Sequence, residues 1–251
     1  MTLVALRRWV VGVSVLAVLL LALALALEPV RGLLAYSWGK VRGGYTLQER
    51  LAQYGPDVAG RLRPAFERAG VPYPPHEVAY LSFKDTRRLE VYARASKAQP
   101  WRYIKHYPVR AASGELGPKL IEGDRQVPEG QYRAVYLNPN SRFHLSIRLD
   151  YPNTFDRRMA ATDGRARLGG DIMIHGGAAS IGCLAMGDPA AEDLFVLAAL
   201  VSKERVQVLI SPTDFRMVSN RVAPVDRPAW VGSLYEGLRA ALAAFPREAA
   251  R

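Results

Sequence analysis

Asp171-Ile172-Met173-Ile174-His175-Gly176-Gly177-Ala178-Ala179-Ser180-Ile181-Gly182-Cys183 begins as an apolar, β-favouring run and ends on the only cysteine of the chain. The run predicts a buried strand ending at His175, and the small residues that follow predict a loop folding back on it. Only a thiolate is a good nucleophile, and a free cysteine is mostly thiol at neutral pH. His175, eight residues before Cys183, is placed to take the thiol proton and later return it to a leaving amine. Gly182 lets the backbone approach a substrate carbonyl. The N–H groups of Ile181, Gly182 and Cys183 would form an oxyanion hole, with Ser180 and Gly176 supporting the turn. A lone cysteine can also be a buried space-filler, and a Cys with a His elsewhere marks only a candidate nucleophile.

Outward from this stretch the texture stays β-rich. Val78–Phe83 and Arg88–Ala93 read as strands around a Lys84–Arg87 hairpin turn, and Trp101–Val109 and Gly130–Val135 continue the pattern. His144–Leu149 alternates as a half-buried strand, which would point His144 into the groove opposite Cys183. Asp156–Gly169 is polar and basic and predicts an exposed loop over the site. Asp188, as N-cap before Pro189, predicts a helix through Leu200, followed by a strand over Arg205–Ile210. Trp230–Phe245 predicts an amphipathic helix. Upstream, Leu47–Ala69 has near-helical apolar spacing interrupted by Gly55-Pro56, which predicts one or two short helices. The fold class is mainly β with peripheral helices, α+β.

At the N-terminus Arg7-Arg8 precedes an uncharged apolar run from Trp9 to Leu27, which reads as an export signal or a retained membrane anchor. The expected organisation is therefore 1–27 signal or anchor, 28–77 helical linker region and 78–245 catalytic domain. Either route places residues 28–251 outside the cytoplasm; with the family resemblance given below, that implies the bacterial envelope, on the periplasmic side. The composition, 49% hydrophobic and 23% charged, is globular, and the net charge of +11 suits an anionic polymer or membrane face. No basic motif of a nucleic-acid binder accompanies that charge. Four scattered histidines and one cysteine show no metal spacing, so neither metal nor cofactor is expected. Asp124 and Arg125 are candidates for binding peptide carboxylates or for fixing a turn.

Several ordered motifs carry a family resemblance. Ile172–Gly176, Ser180–Cys183, Ala185-Met186 and Asp188 resemble the active-site pattern of YkuD-type L,D-transpeptidases, and most closely the YafK-like branch. Gly114–Lys119, Glu122–Gly130, Phe143–Ser146 and Tyr151–Asn153 are similar to the same branch, as are Phe215–Met217 and the aromatic segment near Trp230. Many members of the wider family carry an arginine two residues after the cysteine and a histidine two before it. Here those positions are Ala185 and Ile181. The resemblance implies a YkuD-like β-sandwich or barrel and a peptidoglycan substrate attacked at diaminopimelate in a stem peptide. It also implies a thioester passed to an amine or to water. Hydrolysis, including release of a peptidoglycan-linked lipoprotein, is the alternative activity. A non-catalytic peptidoglycan-binding protein is the contrasting class, and the joint presence of His175 and Cys183 argues against it.

Overall fold

The computed structural model describes residues 43–218 and 227–247. The apolar run from Trp9 to Leu27 lies outside them. The compact unit that begins at Thr46 is built on one curled, mixed eight-stranded sheet in the order β3-β2-β1-β8-β4-β5-β6-β7. The strands are β1 (Glu77–Phe83), β2 (Arg88–Arg94), β3 (Arg102–Pro108), β4 (Gly130–Ser141), β5 (His144–Leu149), β6 (Met173–His175), β7 (Leu184–Ala185) and β8 (Val206–Ser211). Helices α1 (Leu47–Ala69), α2 (Thr154–Thr162), α3 (Asp188–Val201) and α4 (Val231–Leu242) surround it. The α+β expectation holds.

Strand β1 is buried along its whole length, and its alternation divides the core. Val78 and Tyr80 join a cluster with Phe66 of α1 and Phe195 of α3. Ala79, Leu81 and Phe83 join a second with Leu234 and Leu238 of α4. Each large apolar side chain so buried contributes roughly 1.5–3 kcal/mol. The sheet turns along β4, whose first residues pair with β8 and whose later residues pair with β5. In β5, Leu145, Ile147 and Leu149 face the core, which leaves Ser146 and Arg148 on the opposite face.

Two helices differ from expectation. The segment Leu47–Ala69 is one continuous helix despite Pro56 and Pro64. Each proline removes a backbone donor, but Thr46 and Glu49 form a capping box, Gly70 closes the other end at φ 65°, and Val58, Leu62 and Phe66 are buried. The predicted loop Asp156–Gly169 is helical in its first half, as part of α2, which is started by a second capping box between Asn153 and Asp156. Asp188 is inside α3, and Gly187 is its N-cap. The Asp188 carboxylate is used elsewhere, as shown next.

Candidate active site

His175 ends β6 and Cys183 precedes β7. The two strands run parallel, with Ile174 beside Leu184 and His175 beside Ala185. One step back, Met173 lies beside Cys183, and the Met173 N–H lies within hydrogen-bonding range of the thiol sulfur. Across the antiparallel neighbours, Tyr136 pairs with Arg148 and Arg148 with Met173. Residues directly paired in a ladder share a face. Tyr136, Arg148, Met173 and Cys183 therefore form one row on the face away from the core, with Ser146 and His175 in the adjoining row.

The His175 ring is fixed on two sides. Its Nδ1 lies 2.6 Å from the Gly176 carbonyl oxygen. A carbonyl only accepts, so Nδ1 carries the proton and Nε2 keeps its lone pair. Phe143 stacks on the ring at 4.7 Å between centroids. No third side chain is needed to orient the imidazole. The Gly176 backbone is in turn clamped: its N–H donates to the carbonyls of Phe143 and Leu145 at 3.0 and 3.2 Å. The next N–H, that of Gly177, donates to Asp188 Oδ1 at 2.8 Å. The motif aspartate thus ties the loop after the histidine to the start of α3.

The turn before Cys183 is held by one hydroxyl. Ser180 Oγ donates to the Cys183 carbonyl at 2.7 Å and accepts from Gly182 N at 3.3 Å and Ser113 N at 3.2 Å. Gly182 has φ +121°, a conformation that L side chains rarely adopt. Ile181 projects into solvent, 81% exposed.

The electrostatics favour a neutral resting pair. Burial pushes the Cys183 thiol above its ordinary value, and the nearby Asp171 charge adds to this. The Met173 N–H and the Lys119 charge oppose it. Burial also lowers the His175 pKa, against the Gly176 carbonyl and the Asp188 charge. The thiol donates to the Asp171 carbonyl at 3.7 Å. No hydrogen bond joins it to His175, although the sequence places the two within hydrogen-bond reach. The reason is register: along the paired strands His175 stands two residues beyond Met173, the neighbour of Cys183.

The other candidates fall in three places. His144 has φ +70°, which breaks the alternation of β5 at its first residue. Its Nε2 lies 3.0 Å from Glu192 Oε1 on α3, and its ring packs edge-on against Tyr54 of α1. Those contacts take the place of the groove-facing position expected for it. Asp124 fixes a turn, accepting from the N–H groups of Leu120, Ile121 and Gln126 and pairing with Lys119. Arg125 is exposed, at φ 54°. Lys119, Phe143, Ser113 and Asp171 were missed as site residues. Lys119 and Phe143 lie inside recognised motifs, so their position was legible although their role was not.

The YkuD description, L,D-transpeptidase catalytic domain, matches residues 81–210, the span from β1 to β8 that encloses this site. The chain belongs to that family. It is 36% identical over 140 residues to the Escherichia coli K12 protein named "Putative L,D-transpeptidase YafK", covering 54% of this chain and 53% of that protein. The chain thus spans about half the length of the curated relatives it matches. Among solved structures, the helical cell shape determining protein Pgp2 of Campylobacter jejuni is 25% identical. The match covers 55% of this chain and 48% of that one, with a TM-score of 0.43. Bd1075 of Bdellovibrio bacteriovorus is 21% identical over 68% of this chain and 56% of its own, with a TM-score of 0.41.

Proposed function

We propose that the chain is a cysteine acyltransferase acting on diaminopimelate-containing stem peptides of peptidoglycan. The observation that carries the reading is the pairing of an oriented, neutral imidazole with a half-buried thiol on adjoining strands of a YkuD-family domain. In the first half-reaction the Cys183 proton passes to His175 Nε2 and the sulfur attacks the amide carbon. Rotation of the thiol away from the Asp171 carbonyl brings it toward the imidazole; catalytic hydrogen bonds are often long before substrate binds. The oxyanion is met by the backbone N–H groups of Ile181 and Cys183, the Gly182 N–H being engaged by Ser180 Oγ. The C–N bond then breaks, the Nε2 proton goes to the departing amine, and a thioester remains. In the second half-reaction an amine or water gives a proton to Nε2 and attacks the thioester. Sulfur leaves and recovers that proton. Asp124 acts as a turn-former here, and Arg125 is free to meet anionic substrate.

The partner is the peptidoglycan stem peptide, with a linked lipoprotein as a further acyl donor. The reading includes an envelope location, supported by Arg7-Arg8 before the apolar run from Trp9 to Leu27. A reporter active only in the cytoplasm, fused after Arg251, should stay silent; strong activity would refute export. The decisive experiment on function is mass-spectrometric product analysis after incubating the protein with tetrapeptide-containing sacculi, with and without attached lipoprotein. Cross-linked dimers identify transpeptidation, and shortened stems or freed lipoprotein identify hydrolysis. Unchanged sacculi would overturn the proposal.

A further inference from the structure

A cleft of about 440 Å³ has Asp171 in its wall, the residue whose carbonyl accepts from the Cys183 thiol. Arg148, Asp150, Arg157, Gly170 and Asp171 line it, with Tyr151. Arg148 stands in the same cross-strand row as Cys183 through Met173. Arg157 lies on α2, the helix that the Asn153–Asp156 capping box starts. Asp171 links cleft and nucleophile directly: its carbonyl accepts from Cys183, and its carboxylate pairs with Arg148 at 3.5 Å. Asp171 has φ +53°, a left-handed conformation that Asp and Asn tolerate better than other side chains. That conformation lets one residue present its carbonyl to the sulfur while its carboxylate lines the cleft.

The lining therefore holds two guanidinium groups and two carboxylates. A ligand of one sign would meet like charge as well as opposite charge. A ligand carrying both signs on one carbon would satisfy both sets. The Arg148–Asp171 pair is long and well exposed, 45% and 76% for the two side chains, and such pairs contribute little stability. It can open to admit a ligand at small cost. The Arg157 backbone N–H donates to the Asn153 carbonyl within α2, while its exposed guanidinium makes no hydrogen bond or ion pair among the described residues and remains available for a carboxylate. Asp150 has one oxygen engaged by the Arg133 N–H at 2.9 Å, leaving the other free.

We infer that this cleft is a subsite for a free α-amino-acid centre, an ammonium and a carboxylate on one carbon. The carboxylate is met by Arg148 and Arg157 and the ammonium by Asp171 and Asp150. The inference rests on the proposed function for its substrate: the free end of a diaminopimelate side chain is such a centre. The centre can come from the acyl donor or from the amine that resolves the thioester.

Binding and chemistry are tested separately. Full-length protein carrying Cys183→Ala is titrated calorimetrically with free diaminopimelate, with pimelate, which lacks both amines, and with 1,5-diaminopentane, which lacks both carboxylates. Diaminopimelate should bind at least tenfold more tightly than either, and Arg148→Gln, Arg157→Gln and Asp171→Asn should each weaken it by a factor of ten or more. Equal binding of the three probes, or binding indifferent to all three substitutions, would overturn the subsite. With Cys183 intact, intact-mass measurement of acylation by a tetrapeptide then assigns the source. Slower acylation in the arginine variants places the donor side chain in the cleft. Normal acylation with aminolysis shifted toward hydrolysis places the acceptor there, and neither change would again overturn the subsite. If the wild type is never acylated while diaminopimelate binding stands, the proposed function fails and the subsite does not.

Discussion

Gly176→Ala should damage both the stability and the activity of this protein, through contacts that can be counted. A Cβ at that position would lie 2.4 Å from Asp188 Oδ1, 2.8 Å from the Phe143 carbonyl oxygen and 2.9 Å from His144 Cβ. Asp188 can rotate away, but it then loses its hydrogen bond from Gly177 N. The Phe143 carbonyl belongs to the backbone and accepts from Gly176 N, so β5 and β6 must separate there. Overpacking of this kind costs about 1–3 kcal/mol, and the lost hydrogen bond adds about 1 kcal/mol. The expected destabilisation is about 2–4 kcal/mol, read from urea unfolding. Because the Gly176 carbonyl holds His175 Nδ1, the imidazole should shift with it. Acylation should then slow by roughly 10–100-fold, part of the hundred- to ten-thousand-fold that a general base supplies.

Gly177→Ala is the control. Its Cβ would have open space, with the nearest atom Phe143 Cδ1 at 3.8 Å, and only its φ of +68° is unfavourable. That cost is about 1–2 kcal/mol, with no displacement of the histidine. Adding Asp188→Ala to Gly176→Ala relieves one of the three contacts and should not restore the rate. A Gly176→Ala protein with wild-type urea midpoint and wild-type acylation would refute the clamp.

Other outcomes follow from the same geometry. Cys183→Ala should abolish acyl-enzyme formation in intact-mass spectra, and His175→Ala should slow it by about a hundred- to ten-thousand-fold; wild-type turnover in either would remove that residue from the mechanism. His144→Ala should act mainly on stability, by about 0.5–1.5 kcal/mol in urea unfolding, because its ring contacts Glu192 and Tyr54. In a pH profile of acylation, the acid limb should lie below the ordinary imidazole value of 6.5 and the alkaline limb above the ordinary thiol value of 9.0. A plateau confined between those two values would contradict the neutral pair. Burial raises the Asp156 pKa to about 6 from 3.8. The native state therefore binds more protons than the unfolded chain between those values, and stability falls as pH rises through that window. Asp156→Asn should flatten this loss of about 1–3 kcal/mol, and an unaltered pH slope in the variant would refute the assignment.

The strands were legible because half-buried strands alternate and buried ones are continuously apolar; β1, β2, β5 and β8 follow those patterns. Helix α2 was not, because only Ala160 of its residues is buried and no apolar stripe marks it. Its signal lay in the Asn153 and Asp156 spacing of a capping box. Gly55-Pro56 within α1 misled in the other direction: packing and caps outweigh a local break. At the site, the His175–Cys183 loop was readable from its glycines. The direction of His144 was not, since a positive φ at a strand's first residue leaves no mark in a period of two. Asp188 kept its place at the head of α3, but its carboxylate bonds to Gly177 rather than to its own helix.

The neutral resting pair bears on how the chemistry must run. Burial opposes charge on both partners, raising the thiol and lowering the imidazole. A standing thiolate–imidazolium pair would have to overcome both effects before substrate arrives. Lys119 and the Met173 N–H favour the thiolate, but the net direction at rest is toward the thiol. In the mechanism proposed above, proton transfer to His175 Nε2 would therefore be coupled to the approach of a carbonyl, whose developing oxyanion would receive backbone N–H groups of the turn. The charge that the site disfavours at rest is stabilised when a bond is forming, which is the differential binding that lowers a barrier. Fixing Nδ1 on a backbone carbonyl suits this role. It sets the tautomer without a carboxylate hydrogen-bonded to the ring, and burial outweighs the Asp188 charge, so the imidazole stays a free base in the pH range where the thiol remains protonated.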